Sequence, residues 1–192
     1  NPTAGYAAAV DVRPGSVRVR ISNIAGAVVT ECADESDQPV NGPESAAAII
    51  RSCCDSAGLS PAQLDAIVVS VPGSYDIATD SLSYVDHVPG WQHPSVGAEL
   101  RMLFPDASVA IENDVNLAAI AERRAASGES DSFFLFWLDD GVGGAIMIDG
   151  ALHRGTRGAV GEAAFLLIPG AVLAPASRTY GAGGRLGGAA AL

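Results

Sequence analysis

The run Ala66-Ile67-Val68-Val69-Ser70-Val71, stopped by Pro72-Gly73, most narrows what this chain can fold into. Apolar residues on consecutive positions suit a strand with both faces buried, and such strands belong to parallel sheets covered by helices. A second strand of this kind reads from Ser108 to Glu112, after a helix candidate from Val96 to Phe104. Strand–helix–strand order makes an α/β protein. At 192 residues the chain has room for one domain or two small lobes.

The opening is patterned differently. Ala7 to Val10 is a short apolar run ending at Asp11, and Pro14-Gly15 marks a turn. Val17, Val19 and Ile21 then alternate with Ser16, Arg18, Arg20 and Ser22, the period of a strand with one wet face. Asn23 to Gly26 supplies a turn and Ala27 to Cys32 a third strand, so the sheet is mixed. A helix follows: Pro43 suits its first position, Glu44 complements its dipole, Ala46 to Ile50 propagate it and Gly58 stops it. Residues 74–94 read as a loop holding Asp76, Asp86, His87, Trp91 and His93, at the carboxyl end of a buried strand, where ligand contacts are common. Neither histidine is given a role.

In the second half Asp114 begins a helix with Leu117, Ala118, Ala121 and Ala125 on one stripe, Arg123-Arg124 in its last turn and Gly128 past its end. Phe133 to Leu138 reads as a strand, and Val142 to Ile148 pairs with Ala151-Leu152 across the hairpin signal Asp149-Gly150. Two openings of the same strand-turn-strand kind point to two lobes of one ancestry, residues 1–112 and 113–192, with a Gly/Ala-rich tail from about 169.

A formal net charge of −11 repels phosphate backbones, so nucleic acid is not an expected partner of this chain itself. Cys32, Cys53 and Cys54 are odd in number and lack C-x-x-C spacing, which argues against a disulfide framework or zinc knuckle. The longest apolar stretch, Ala163 to Ala176, is broken by Pro169-Gly170 and too short to span a bilayer. The expectation is a soluble cytoplasmic protein with no membrane partner.

Three stretches carry chemistry. Ile111-Glu112-Asn113-Asp114-Val115-Asn116 is a strand ending in polar residues that open a helix. Leu138-Asp139-Asp140-Gly141-Val142-Gly143-Gly144-Ala145 is a Gly-rich strand entry. Gly150 to Gly155 continues through Gly158-Ala159-Val160-Gly161-Glu162. In this order and spacing they resemble the ROK family (repressor, open reading frame, kinase), from about Ala9 to Ile168. Pro72-Gly73 and Pro89-Gly90-Trp91 are also similar to that family's loop before its second helix.

The resemblance implies an actin-like (ribonuclease H-like) two-lobed sugar kinase fold of class α/β with mixed sheets, the second lobe incomplete. It implies that Gly73, Asn113, Asp114 and Glu162 contact a sugar, with Asp114 where the family places its catalytic general base. A carboxylate at a strand end accepts a sugar hydroxyl's proton, typically contributing roughly 10²–10⁴-fold. Helix capping is the plain alternative for both Asp114 and Asn113.

Three departures bear on activity. The family's kinases hold ATP phosphates on a D-x-G-G-T turn; here the equivalent is Asp11-Val12-Arg13-Pro14-Gly15-Ser16, where Pro removes an N–H donor. Their second phosphate turn is G-T-G; here it is Asp139-Asp140-Gly141. A carboxylate roughly 4 Å from a phosphate oxygen costs on the order of 4 kcal/mol at an effective dielectric near 20, unless Mg²⁺ bridges them. Phe165 stands at the family's histidine position, and no cysteine lies beyond Cys54, so no structural zinc is expected.

The sequence therefore reads as the non-catalytic, sugar-sensing and oligomerising part of a ROK regulator. It needs no cofactor and touches DNA only through a segment outside this chain; homo-oligomers are what the resemblance implies. An ATP- and Mg²⁺-dependent sugar kinase is the alternative, and a degenerate scaffold without ligand the third.

Overall fold

The computed structural model describes residues 4–34, 42–83, 85, 88, 90–126, 130–138, 142–161 and 163. In chain order its elements are β1 (Tyr6–Arg13), β2 (Ser16–Asn23), β3 (Val28–Asp34), α1 (Gly42–Ser56), a 3₁₀ turn (Pro61–Gln63), β4 (Leu64–Val71), β5 (Ser74–Asp76), β6 (Ser81–Ser83), α2 (Val96–Leu103), β7 (Ser108–Asn113), α3 (Asp114–Ala125), β8 (Phe133–Leu138), β9 (Val142–Ile148) and β10 (Ala151–His153). The chain divides into two units, Asn1–Glu112 and Asn113–Leu192. Among the described residues no helix is long and apolar enough to cross a membrane.

The first unit is built on a five-stranded sheet of order β3-β2-β1-β4-β7. β1 pairs antiparallel with β2 and parallel with β4, which makes the sheet mixed. The alternation in β2 is realised side chain by side chain: Val17, Val19 and Ile21 are buried, while Arg18 and Arg20 are exposed. β4 departs from its reading. Leu64, Ile67, Val69 and Val71 are buried, but Ala66, Val68 and Ser70 on the other face are only half covered.

α1 buries Pro43, Ala46, Ala47, Ile50, Cys53 and Cys54. Their three- and four-residue spacing makes one helical stripe, laid against β2 and β3. Burying each large aliphatic of this core is worth about 1.5–3 kcal/mol. Gly58, in the left-handed region at φ +67°, ends the helix as expected. Trp91, read as part of a ligand-side loop, is instead fully buried in this core.

The segment read as loop from 74 to 94 contains a hairpin, β5 pairing antiparallel with β6. Three-residue strands give too few alternations to register as a pattern. Asp80 holds the hairpin to α2. Its Oδ1 accepts from the Tyr75 hydroxyl at 2.7 Å and from the Gly97 amide at 2.8 Å, and its Oδ2 accepts from the Ala98 amide at 2.9 Å. Arg101 lies 3.8 Å from the same carboxylate. Burial alone would push the Asp80 carboxyl up, yet these donors outweigh it and hold it below the ordinary carboxylate range. A carboxylate from another loop thus caps α2, whose own N-cap position, Ser95, makes no side-chain cap bond.

In the second unit β8, β9 and β10 form an antiparallel sheet of order β10-β9-β8. The β9–β10 turn places Asp149 and Gly150 at φ +49° and +76°, the two-residue hairpin that Asp-Gly favours. α3 lies against this sheet through Val115 and Ala119, which meet Ala145, Met147, Phe133, Leu135 and Leu152. The helix stripe expected from sequence is therefore corrected. The buried face carries Val115, Asn116 and Ala119, whereas Ala121 and Ala125 are exposed. Alanines on both sides of α3 leave its polarity too even to choose a face. Arg123 and Arg124 do close the last turn, and Arg123 pairs with Asp131 at 3.1 Å. Gly128 lies outside the described residues.

Asp80→Asn removes the charged cap and should cost about 1 kcal/mol in urea unfolding at neutral pH. Because the folded-state pKa of Asp80 is depressed, its contribution is complete above the unfolded value of about 3.9 and is lost as pH falls through the folded value. The variant should therefore lose less stability than the parent on acidification below about pH 4. Equal stability of the two proteins at both pH values would contradict this role.

Candidate functional site

The polar junction between β7 and α3 is set by backbone conformation. Asn113 is extended, at φ −63° and ψ 142°, and its Oδ1 accepts from the Asn116 amide at 3.0 Å. It is the N-cap of α3. Asp114 follows as the first helical residue, exposed, with Oδ1 accepting from the Val115 amide at 2.8 Å. Capping is thus realised at Asn113. A carboxylate has two oxygens and several lone-pair sites, so the local bond on Asp114 Oδ1 is compatible with a second acceptor role.

Asn113, Val115 and Asn116 line a small, shallow cleft of about 20 Å³, partly open to solvent, completed by Gly143, Gly144, Gly158 and Gly161. The glycines make it possible. A Cβ on Gly143 would stand 2.8 Å from Val115 Cγ2, so α3 can approach β9 only over a bare backbone. On the opposite face of the strand, a Cβ on Gly144 would run into the Phe134 ring, and one on Gly161 would run into the carbonyl of Gly144. Two backbone segments therefore touch directly at Gly144 and Gly161. Gly155 and Gly158, at φ +68° and +75°, give the intervening loop its bends.

Asn116 is 6% exposed and is one of the few buried polar side chains, yet the sequence reading gave it no role. Its position three residues after the cap, on the inner face of the first turn, was the available signal. Asn113 and Asp114 are brought together at the start of α3. Gly73 belongs to the first unit, just beyond β4, where its amide donates to Val71 O at 3.1 Å in a three-residue turn. Glu162, Phe165, Asp139, Asp140 and Gly141 lie outside the described residues.

The β1–β2 turn is fully described. Arg13 pairs with Ser16, so Pro14 and Gly15 alone make the turn, with Gly15 at φ +74°. The Arg13 Nε donates to Asp11 Oδ2 at 2.7 Å. Both side chains are partly exposed, so the pair adds little stability. It does, however, fold a cation and an anion onto the strand end. Among the described residues no group of three His, Cys, Asp or Glu side chains is placed to hold a metal.

Comparison with known proteins decides the family. The family model of the ROK family matches residues 18–177. The chain belongs to the ROK family. The β-glucoside kinase of Listeria innocua is 42% identical over 59 residues, 30% of this chain and 20% of that one. The solved ROK hexokinase from Thermus thermophilus superposes with a TM-score of 0.71 at 25% identity, covering 87% of this chain and 55% of the hexokinase. A ROK family transcriptional regulator, described as a homologue of the E. coli MLC protein, superposes with a TM-score of 0.74 at 18% identity, covering 90% of this chain and 44% of that one. This ROK chain thus has the α/β fold of the actin-like sugar kinases, shared by family kinases and a family regulator alike. It spans less than two thirds of each of these proteins.

Gly161→Ala should force the 155–161 loop off β9 and destabilise the protein by about 1–3 kcal/mol, read as a lower urea midpoint. An unchanged midpoint would show that the close approach at Gly144 is not needed.

Proposed function

We propose that this chain is the sugar-sensing effector and oligomerisation domain of a ROK-family transcriptional regulator, and that it does not transfer phosphate. The observation that carries the reading is the β1–β2 turn. A phosphate tail is held by successive backbone N–H groups. In this turn Pro14 has none to offer, and the loop is only two residues long. The Asp11 carboxylate beside it is already engaged by Arg13. The residues of this turn do not fit a nucleotide's phosphates.

Sugar recognition falls to Asn113 and Asp114 at the head of α3, with Glu162 as a further contact. An amide and a carboxylate side by side offer the donors and acceptors that vicinal hydroxyls need. Bound sugar acts only through different affinity for two arrangements of the protein. The net charge of −11 supports operator binding through a segment other than this chain.

A second reading, an ATP-dependent sugar kinase, is favoured by the local identity with the Listeria innocua β-glucoside kinase. It would use Asp114 as general base and hold Mg²⁺ through Asp139 or Asp140. One experiment on the full-length protein separates the two. A panel of hexoses and amino sugars is screened for thermal stabilisation, alongside a coupled assay for ADP release. A sugar at a hundredfold its Kd should stabilise by about 2.7 kcal/mol. That shift should vanish in Asp114→Ala, with no ADP released. ADP release abolished by Asp114→Asn would establish the kinase instead, and absence of any sugar-dependent shift would remove the sensor reading.

A further inference from the structure

The packing of α1 on the edge of the first sheet brings two of the three cysteines together. Cys32 lies on β3 directly opposite Val19 of β2. The Cys53 sulfur, reaching down from α1, lies 3.8 Å from the Val19 carbonyl oxygen. Val19 thus places the two cysteines on one face of the sheet edge, Cys32 as its cross-strand partner and Cys53 against its carbonyl. Ser56, one turn further along α1, ties the pair together: its hydroxyl donates to Cys53 O at 2.8 Å and lies 3.7 Å from Cys32 Sγ. Thr30 completes the cluster, its hydroxyl 3.2 Å from that of Ser56. Cys54, the immediate neighbour of Cys53, is fully buried.

We propose that Cys32 and Cys53 form a reversible disulfide that staples the edge strand β3 to helix α1 when the protein meets a peroxide. The two sulfurs differ in the way such a step requires. Cys32 is partly exposed beside the exposed Ser56, so an oxidant reaches it first. Cys53 is fully buried, out of the oxidant's direct reach. The peroxide O–O bond breaks as Cys32 sulfur takes one oxygen, giving a sulfenic acid and water. Cys53 sulfur then attacks Cys32 sulfur. The S–S bond forms, the S–O bond breaks, and the departing hydroxide leaves with the Cys53 proton as a second water. Two thiols and one peroxide thus give one disulfide and two waters.

Closing the bond needs the two sulfurs to come to about 2 Å from one another. β3 is the outermost strand of its sheet, with a ladder on one side only, and is the element free to make that move. The cross-link would join two segments that packing alone now holds, and would fix the edge of the first unit independently of any ligand.

The full-length protein is treated with a small excess of hydrogen peroxide, quenched by alkylation, and digested for mass spectrometry. The expected product is a Cys32–Cys53 linked peptide, lighter by two hydrogens than its parts, which dithiothreitol removes. It should persist in Cys54→Ala and disappear in Cys32→Ser, a substitution on the edge strand that does not open the core. Peroxide that yields only over-oxidised Cys32, a link to Cys54, or a disulfide between two copies through Cys32 would overturn the proposal.

Discussion

β1 carries a hydrogen-bonded ladder on both edges, and everything in the first unit is referred to it. One edge is antiparallel and runs the full strand, from Tyr6 against Asn23 to Arg13 against Ser16. The other is parallel, and β4 reaches it only after α1 has crossed back over the sheet. Val10 and Val12 face the core between these ladders, so the strand can neither slip nor turn over without exposing them. That register carries β1 two residues beyond Asp11 before it turns. The chain then reverses at Pro14-Gly15, a turn closed by backbone pairing and poor in amide donors. The limit on phosphate binding proposed above rests on this strand pairing, one step removed from any acidic side chain.

The second unit solves a different problem with the same economy of atoms. Its glycines do not loosen the backbone. They let α3, β9 and the 155–161 loop meet at distances that a single methyl group would prevent. Asn113 and Asp114 are presented at the edge of this packed backbone by a helix start, where side chains are aimed by the first-turn amides. A site on a helix start over a glycine-packed strand is held more firmly than one on a loop.

What was legible in the sequence, and what was not, divides along the range of the interactions. β2 alternates over seven residues, and the Asp149-Gly150 turn carries its conformation in two, so both could be read directly. Gly58 and the Asn113-Asp114 helix start are equally local. The β5–β6 hairpin is too short to show a period. The Asp80 cap joins residues seventeen and eighteen apart in the chain, so no window reveals it. The buried face of α3 depends on which side the sheet lies, and alanines on both sides hide that choice. The family resemblance reached Asn113 and Asp114 through the motif they open, and the same motif held Asn116, whose place three residues after the cap was the one local sign of its burial.

We propose that the β1–β2 turn of this ROK chain does not hold a nucleotide's phosphates. Calorimetric titration of the full-length protein with a non-hydrolysable ATP analogue and Mg²⁺, in the presence of a stabilising sugar, tests it directly. The account predicts no saturable heat up to analogue concentrations of about 1 mM. Saturable binding in the micromolar range would contradict it.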